Sequence, residues 1–454
     1  MTDAALPSGT ADELASFLDR WVGDGVPGLS VAVFDADGRL HADALGVRDV
    51  ASGTPATPET TYAVGSLAKP PTALAVLQLV ESGAVALTDP VDEHLPRPVL
   101  ADAPGEPVTV ADLLAHRSGM PRDFYASRDD LDDREAVFRH VEAAASQRRT
   151  DRERYAYWNS GYVLLGELVE AVDGRPHSRY VAESVLEPLG MDRSGFTPAL
   201  LDGEDAATGY PPGSEEAVPA AVVADEVEQA AASGGFVSTA TDLARLGRWL
   251  LNDGVVDGSR LLGDSLAAEI TTFQSPVAET TAGERWGYGY GLELDTFLGG
   301  PLVGHRGGLH FSGGFLGVLP ERDRGVALAY NSTGLPAVSV GRGALALACG
   351  EAPTDAVRTL AVAEAVDAVA GRYTSVRDVT GATVEAGPAG TLRIDLDAPP
   401  VTFTAAPEAV DGADATFAAE TGDGKRWLAE FSATEDGVEL LLTTGKWVTL
   451  FEQT

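Results

Sequence analysis

Ser66 and Lys69 stand three residues apart at the head of an apolar run, Thr72 to Val80 (TALAVLQLV). In a helix that spacing puts both side chains on one face, a turn apart. A hydroxyl becomes a useful nucleophile when a base takes its proton, and an amine so placed can do that. The first-turn N–H groups of the same helix would face any negative charge developing beside Ser66. The pair suits covalent acyl transfer. S-x-x-K alone is frequent by chance, so the reading depends on partners supplied from elsewhere in the chain.

Two further clusters are candidates. Tyr157-Trp158-Asn159 precedes a second apolar helical pattern over residues 162–172. A phenol near a lysine ammonium is expected to ionise more easily and could carry the serine proton to a leaving group. The Asn159 amide could hold both the lysine and a substrate carbonyl. Gly304-His305-Arg306-Gly307-Gly308 follows a short apolar stretch. Its two closing glycines would let backbone approach a ligand closely, and the Gly308 N–H with that of Ser66 could form an oxyanion hole.

Charge narrows the partners. Of 454 residues, 69 are Asp or Glu and 32 are Lys or Arg, for a net charge of −37; the three lysines are Lys69, Lys425 and Lys446. So acidic a surface disfavours nucleic acid and anionic membranes, and neither is expected as a partner. An acidic surplus with scarce lysine is also what proteins of extreme halophiles look like. With lysine this rare, one at the start of a buried helix implies a task. Cys349 is alone, the N-terminal stretch has no basic-then-apolar signal, and no apolar run approaches a membrane span. A cytoplasmic location is expected. The histidines lack metal-ligand spacing, and neither a metal nor an organic cofactor is expected.

The elements that must position these groups follow from patterning. Residues 9–22 read as a helix, and 27–34 and 39–46 as strands joined by Asp35-Ala36-Asp37-Gly38. The Ser66 helix comes next, with Pro71 predicting an irregular start. A helical region with long loops runs to about residue 252, including helices over 110–115, 134–147, 162–172 and 241–251. Residues 201–232 read as an acidic loop rimming the site. Strands are expected over 286–294, 301–304, 314–319 and 325–330, then a helix over 337–348. The chain therefore reads as a catalytic domain over 1–350, a linker and helix over 351–370, and an antiparallel barrel over 371–454.

The order S-x-x-K, Tyr-x-Asn, His-x-Gly resembles the serine β-lactamase-related hydrolases of the class C type, which include D-alanyl-D-alanine carboxypeptidases, D-aminopeptidases and esterases. Segments 77–83 (LQLVESG), 87–91 (LTDPV), 113–119 (LLAHRSG), 160–166 (SGYVLLG), 233–235 with 238–240, and 288–291 (YGYG) carry the same resemblance. It implies an α/β (α+β) β-lactamase-like catalytic domain, an antiparallel sheet with flanking helices plus a helical half. The barrel resembles small lipocalin-like domains appended to some family members. It further implies that Ser66 is acylated, that Lys69 and Tyr157 move its proton, and that Asn159, His305, Gly307 and Gly308 bind substrate. His305 stands where the true lactamases have lysine, which points to the peptidase and esterase branches. Arg306 departs from the small or hydroxyl residue expected there. The implied reaction is hydrolysis of a small amide, a peptide (D-residues included) or an ester through an acyl-enzyme. A pure carboxylesterase and a non-catalytic binding protein on the same fold are the alternatives, and the oligomeric state is left open.

Overall fold

Gly28–Phe34 (GLSVAVF) is buried at every residue because it is flanked by strands on both sides. It pairs with Arg39–Asp49 on one side and with the distant Arg324–Tyr330 on the other, in register from Leu29 opposite Tyr330 to Phe34 opposite Gly325. These pairings place early and late strands in one antiparallel sheet. In the computed structural model, residues 6, 8–23, 25–122, 134–150, 155–279, 285–422, 424–435 and 437–454 are described. The nine-stranded sheet runs Thr54–Pro55, Arg39–Asp49, Gly28–Phe34, Arg324–Tyr330, Ser312–Leu319, Gly300–Leu309, Glu293–Phe297, Arg285–Tyr288, Ser275–Glu279. Helices Ala240–Leu251 and Ala337–Ala348 pack on its central strands.

The short strand Tyr62–Gly65 pairs with Phe236–Ser238 and leads directly into Ser66. Ser66–Ala68 is a single 3-10 turn, and the α-helix Lys69–Glu81 follows with both prolines in its first turn. That is the irregular start which Pro71 predicts. Residues Lys69 to Leu77 of this helix are all buried, so it runs through the interior. Helices Asn159–Asp173 and Ala220–Gly234 pack against it and form the helical half.

Three sequence expectations change. The acidic loop is shorter than the pattern suggested: Ala220–Gly234 is a helix, its six alanines and two glutamates being strong helix formers. The stretch 286–294 is two strands, Arg285–Tyr288 and Glu293–Phe297, separated by a turn at Gly291 with φ 78°. Gly304 to Gly308 lies within the ten-residue strand Gly300–Leu309 rather than at the end of a short one. Glycines at that strand's centre masked it, since they carry no strand propensity.

The chain divides at Gly350, with residues 1–350 in one compact unit and 351–454 in the other. In the second unit, helix Arg358–Val369 precedes eight antiparallel strands that close into a barrel. Its interior is filled by its own side chains, among them Tyr373, Ile394, Phe417, Phe431 and Leu440, as expected for an eight-stranded barrel. Among the described residues, no helix is long and apolar enough to cross a membrane.

Candidate active site

The Lys69 side chain is fully buried, and its ammonium is surrounded by acceptors. Nζ donates to Ser66 Oγ at 3.1 Å, to Asn159 Oδ1 at 2.9 Å and to the Ser233 carbonyl at 2.6 Å. It also lies 4.7 Å from the Tyr157 ring centre and 5.4 Å from that of Tyr162. A buried charge is tolerated when its hydrogen-bonding capacity is met and aromatic faces line the remaining space. These contacts satisfy both conditions for an ammonium ion.

Ser66, partly exposed in an otherwise buried stretch, accepts a hydrogen bond from Lys69, and the Tyr157 phenol lies beside the same pair. Asn159 opens the helix Asn159–Asp173, so Tyr157 sits on the extended segment that feeds it. The hydroxyl, amine, phenol and amide picked from the sequence thus come together. The ease of ionising Tyr157 does not follow, however. Burial pushes its phenol well above the ordinary range, the Ser66 hydroxyl opposes that rise, and the Glu293 carboxylate adds to it. Desolvation dominates, and Tyr157 rests as a neutral phenol.

The Gly307–Gly308 backbone packs directly on the Ser66 turn. A Cβ on Gly307 would lie 2.0 Å from the Val64 carbonyl oxygen and 2.6 Å from the Ser66 nitrogen. Gly65, at φ 56°, faces Gly308, and a Cβ there would lie 2.5 Å from the Gly308 nitrogen. Only backbone fits at this crossing, which brings the Gly308 amide to the same place as the Ser66 turn.

His305 is buried beside them. Nδ1–H donates to the Arg306 carbonyl at 2.5 Å, and Nε2 accepts from the Tyr288 hydroxyl at 2.9 Å. Burial, reinforced by the Lys69 charge, pushes its pKa down to about 3, so the ring is neutral. Arg306 points outward, half exposed, and pairs with Glu293 across 3.6 Å. Glu293 is held above the usual carboxylate range by burial, while Arg306 and Lys69 oppose that rise.

Sequence reasoning passed over Ser233, Glu293 and Tyr288. A signal existed for two of them, since Ser233-Gly234-Gly235 and Tyr288-Gly289-Tyr290-Gly291 were already noted as segments. Glu293 carried none. Among the described residues, no group of three or more His, Cys, Asp or Glu side chains is placed to hold a metal ion.

Comparison with known proteins agrees with this architecture. The Beta-lactamase family model matches residues 14–349, and the chain belongs to that family. Residues 353–444 match the model of the Pab87 octamerisation domain. Penicillin-binding protein 4 of Amycolatopsis lactamdurans is 32% identical over 309 residues, 67% of this chain and 81% of that one. Protein Rv1367c of Mycobacterium tuberculosis is 29% identical, and the alignment spans 65% of its length, just under two thirds. The octameric penicillin-binding protein homologue from Pyrococcus abyssi superposes with a TM-score of 0.82 at 29% identity, covering 97% of this chain and all of that one. A D-stereospecific amidohydrolase from Streptomyces sp. gives 0.58 at 26% identity, covering 74% and 98%.

Proposed function

We propose that this protein is a serine hydrolase that cleaves a small amide, a short peptide, D-residues included, or an ester by way of an acyl-enzyme at Ser66. The observation that carries the reading is the convergence of Lys69 and Tyr157 at Ser66: the ammonium donates to Ser66 Oγ at 3.1 Å, and the Tyr157 ring centre lies 4.7 Å from that same ammonium. Likeness to a D-stereospecific amidohydrolase supports the amide and D-residue part of the substrate range.

In this reading Ser66 Oγ attacks the substrate carbonyl carbon and a new C–O bond forms. The serine proton passes into the Tyr157/Lys69 pair. Charge developing on the carbonyl oxygen faces the Ser66 and Gly308 N–H groups. The pair then returns a proton to the departing amine or alcohol as its bond to carbon breaks. Water repeats the sequence on acyl-Ser66 and releases the acid. Asn159 keeps Lys69 in place and orients the substrate amide, while His305 and Gly307 shape the floor of the cleft. Since Tyr157 rests protonated and Lys69 is surrounded by acceptors, the pair must first lose a proton before it can take one from Ser66.

We also infer self-assembly through the barrel. The large apolar side chains exposed among the described residues are Val379, Leu441, Trp447, Val448 and Leu450, all in the second unit. Four of them lie on the hairpin formed by Gly437–Thr444 and Trp447–Gln453. Trp447 is 68% exposed, a poor arrangement for a lone molecule and a suitable one for contact with a second copy. Similarity to an octamerisation domain and to an octameric homologue supports that occupant. The acidic surplus fits work at molar salt.

A panel of nitrophenyl acetate, D-alanyl anilide and L-alanyl anilide, assayed in high salt with wild type and Ser66→Ala, tests the hydrolase reading. Turnover of an anilide that Ser66→Ala abolishes supports it. Turnover of the ester alone points to a pure esterase, and none at all to a binding protein.

A further inference from the structure

We propose that His116 is the positioning residue for Tyr157, fixing the phenol against Ser66 by gripping the backbone on both sides of it. This rests on the reading of Tyr157 as a carrier of the Ser66 proton. The Ala156 N–H donates to the His116 carbonyl at 2.9 Å, and the Trp158 N–H donates to His116 Nδ1 at 3.1 Å. The two residues that flank Tyr157 are therefore tied to one and the same residue. The imidazole also lies against the phenol itself, with ring centres 4.3 Å apart at 37°. Without these ties Tyr157 would sit on a plain connecting segment, free to swing by more than the ångström that catalysis tolerates.

The grip is itself anchored. The Leu114 carbonyl accepts from Tyr162 Oη at 2.7 Å and from the Gly291 N–H at 3.3 Å, and the Ala115 carbonyl accepts from Ser275 Oγ at 2.7 Å. The turn carrying His116 thus spans the Asn159–Asp173 helix and the outer strands of the sheet. His116 adopts φ 55°, in the left-handed region that non-glycine residues occupy only when their surroundings impose it.

The chemistry of the ring agrees. Nδ1 accepts the Trp158 N–H, so the proton of the neutral imidazole resides on Nε2. That nitrogen is buried and has no hydrogen-bond partner among the described residues. A protein bearing an unpaired polar atom here gains something from the other side of the ring. The groups facing it are the rings of Tyr155, Tyr157, Tyr162 and Tyr288, with the Lys69 ammonium and the neutral His305 ring nearby. Burial first, then Lys69, holds His116 well below the ordinary histidine range, which keeps Nδ1 an acceptor.

The test is a double-mutant cycle with Tyr157→Phe, read as kcat and KM on the best substrate of the panel. We expect His116→Ala to lower kcat by about 10²-fold at nearly unchanged KM in wild type, and by less than about threefold in Tyr157→Phe. His116→Asn, whose side-chain oxygen can accept the Trp158 N–H and which tolerates positive φ, should recover most of the loss. Equal losses in both backgrounds would overturn the inference, as would a fully active His116→Ala. A wild-type rate in Tyr157→Phe would instead overturn the reading of Tyr157 on which this rests. Should both His116 variants fail to fold, the solid-state ¹⁵N spectrum of histidine-labelled wild type decides. A neutral ring protonated on Nε2 upholds the contact, and one protonated on Nδ1 removes it.

Discussion

Lys69 Nζ lies 2.9 Å from Asn159 Oδ1, although 90 residues separate the two in the chain. The contact joins the helix Lys69–Glu81 to the segment bearing the phenol, so one substitution there tests stability and activity together. Asn159→Ala leaves a buried ammonium short of an acceptor. A hydrogen bond to a charged group contributes about 1.5–3 kcal/mol, and we expect denaturant unfolding of Asn159→Ala to show a loss of that order together with a large fall in kcat/KM. An Asn159→Ala protein as stable as wild type would show that the ammonium finds another partner at no penalty.

Activity should rise with pH. Burial keeps Tyr157 protonated far above neutrality, so the fraction of enzyme whose Tyr157/Lys69 pair can accept a proton grows on the alkaline side. We expect log kcat/KM to climb between about pH 6 and the alkaline limit of stability. A profile flat over that range, measured with a substrate that does not titrate, would show that neither group has to lose a proton.

Stability should fall at both ends of the pH scale. His116 and His305 are buried and His177 is half-buried, and all three rest neutral, with desolvation pushing His305 down to about 3 and His177 to about 4. The unfolded chain binds protons at these positions from about pH 6.5 downward while the folded chain does not, so their contribution is complete above that value and is lost as pH falls toward 4 and 3. Glu293 and Asp242, raised by burial, offset part of that loss because they favour the folded state as they protonate. At the alkaline end Tyr288, buried, and Tyr157, half-buried, have folded values raised by desolvation above the unfolded one near 10, so stability declines as pH rises past it. Thermal melts across pH 4–11 in constant salt check both limbs.

Salt should act in the same assay. With a net charge of −37, self-repulsion is long-ranged in dilute buffer, where the screening length at 0.01 M is about 30 Å, and nearly absent at 1 M, where it is about 3 Å. We expect the melting temperature to rise steadily from 0.01 to 1 M KCl. A melting temperature independent of salt would detach the composition from any halophilic role.

Trp447→Asp and Val448→Asp place charge on the exposed hairpin of the barrel. We expect sedimentation velocity to show a smaller assembly for the double variant than for wild type at the same salt. Equal sedimentation of the two would free that face from any role in association.

Much of this arrangement was legible in the chain because the informative residues are rare or conformationally special. A lone lysine in 350 residues, set in an apolar helix, stood out against an acidic background. Strands such as Gly28–Phe34 and helices such as Ala337–Ala348 followed from apolar runs and periodicity. What the pattern hid has physical reasons. The Gly300–Leu309 strand reads as shorter in the sequence because its glycines lack strand propensity, and of these Gly307 and Gly308 lie against the Ser66 turn. The rise in the Tyr157 pKa depends on how much water is excluded around it, a property of the assembled aromatic cluster that no spacing reveals. Glu293 was hidden for a similar reason: its proximity to Arg306 comes from strand pairing.

The most direct measurement is intact-protein mass spectrometry after reaction with a fluorophosphonate in high salt, followed by peptide mapping. We expect one adduct per chain, carried by Ser66, absent from Ser66→Ala and formed at least 10²-fold more slowly in Lys69→Ala. A folded wild-type protein that gains no adduct, or gains it on another residue, would contradict the assignment of Ser66 as the nucleophile.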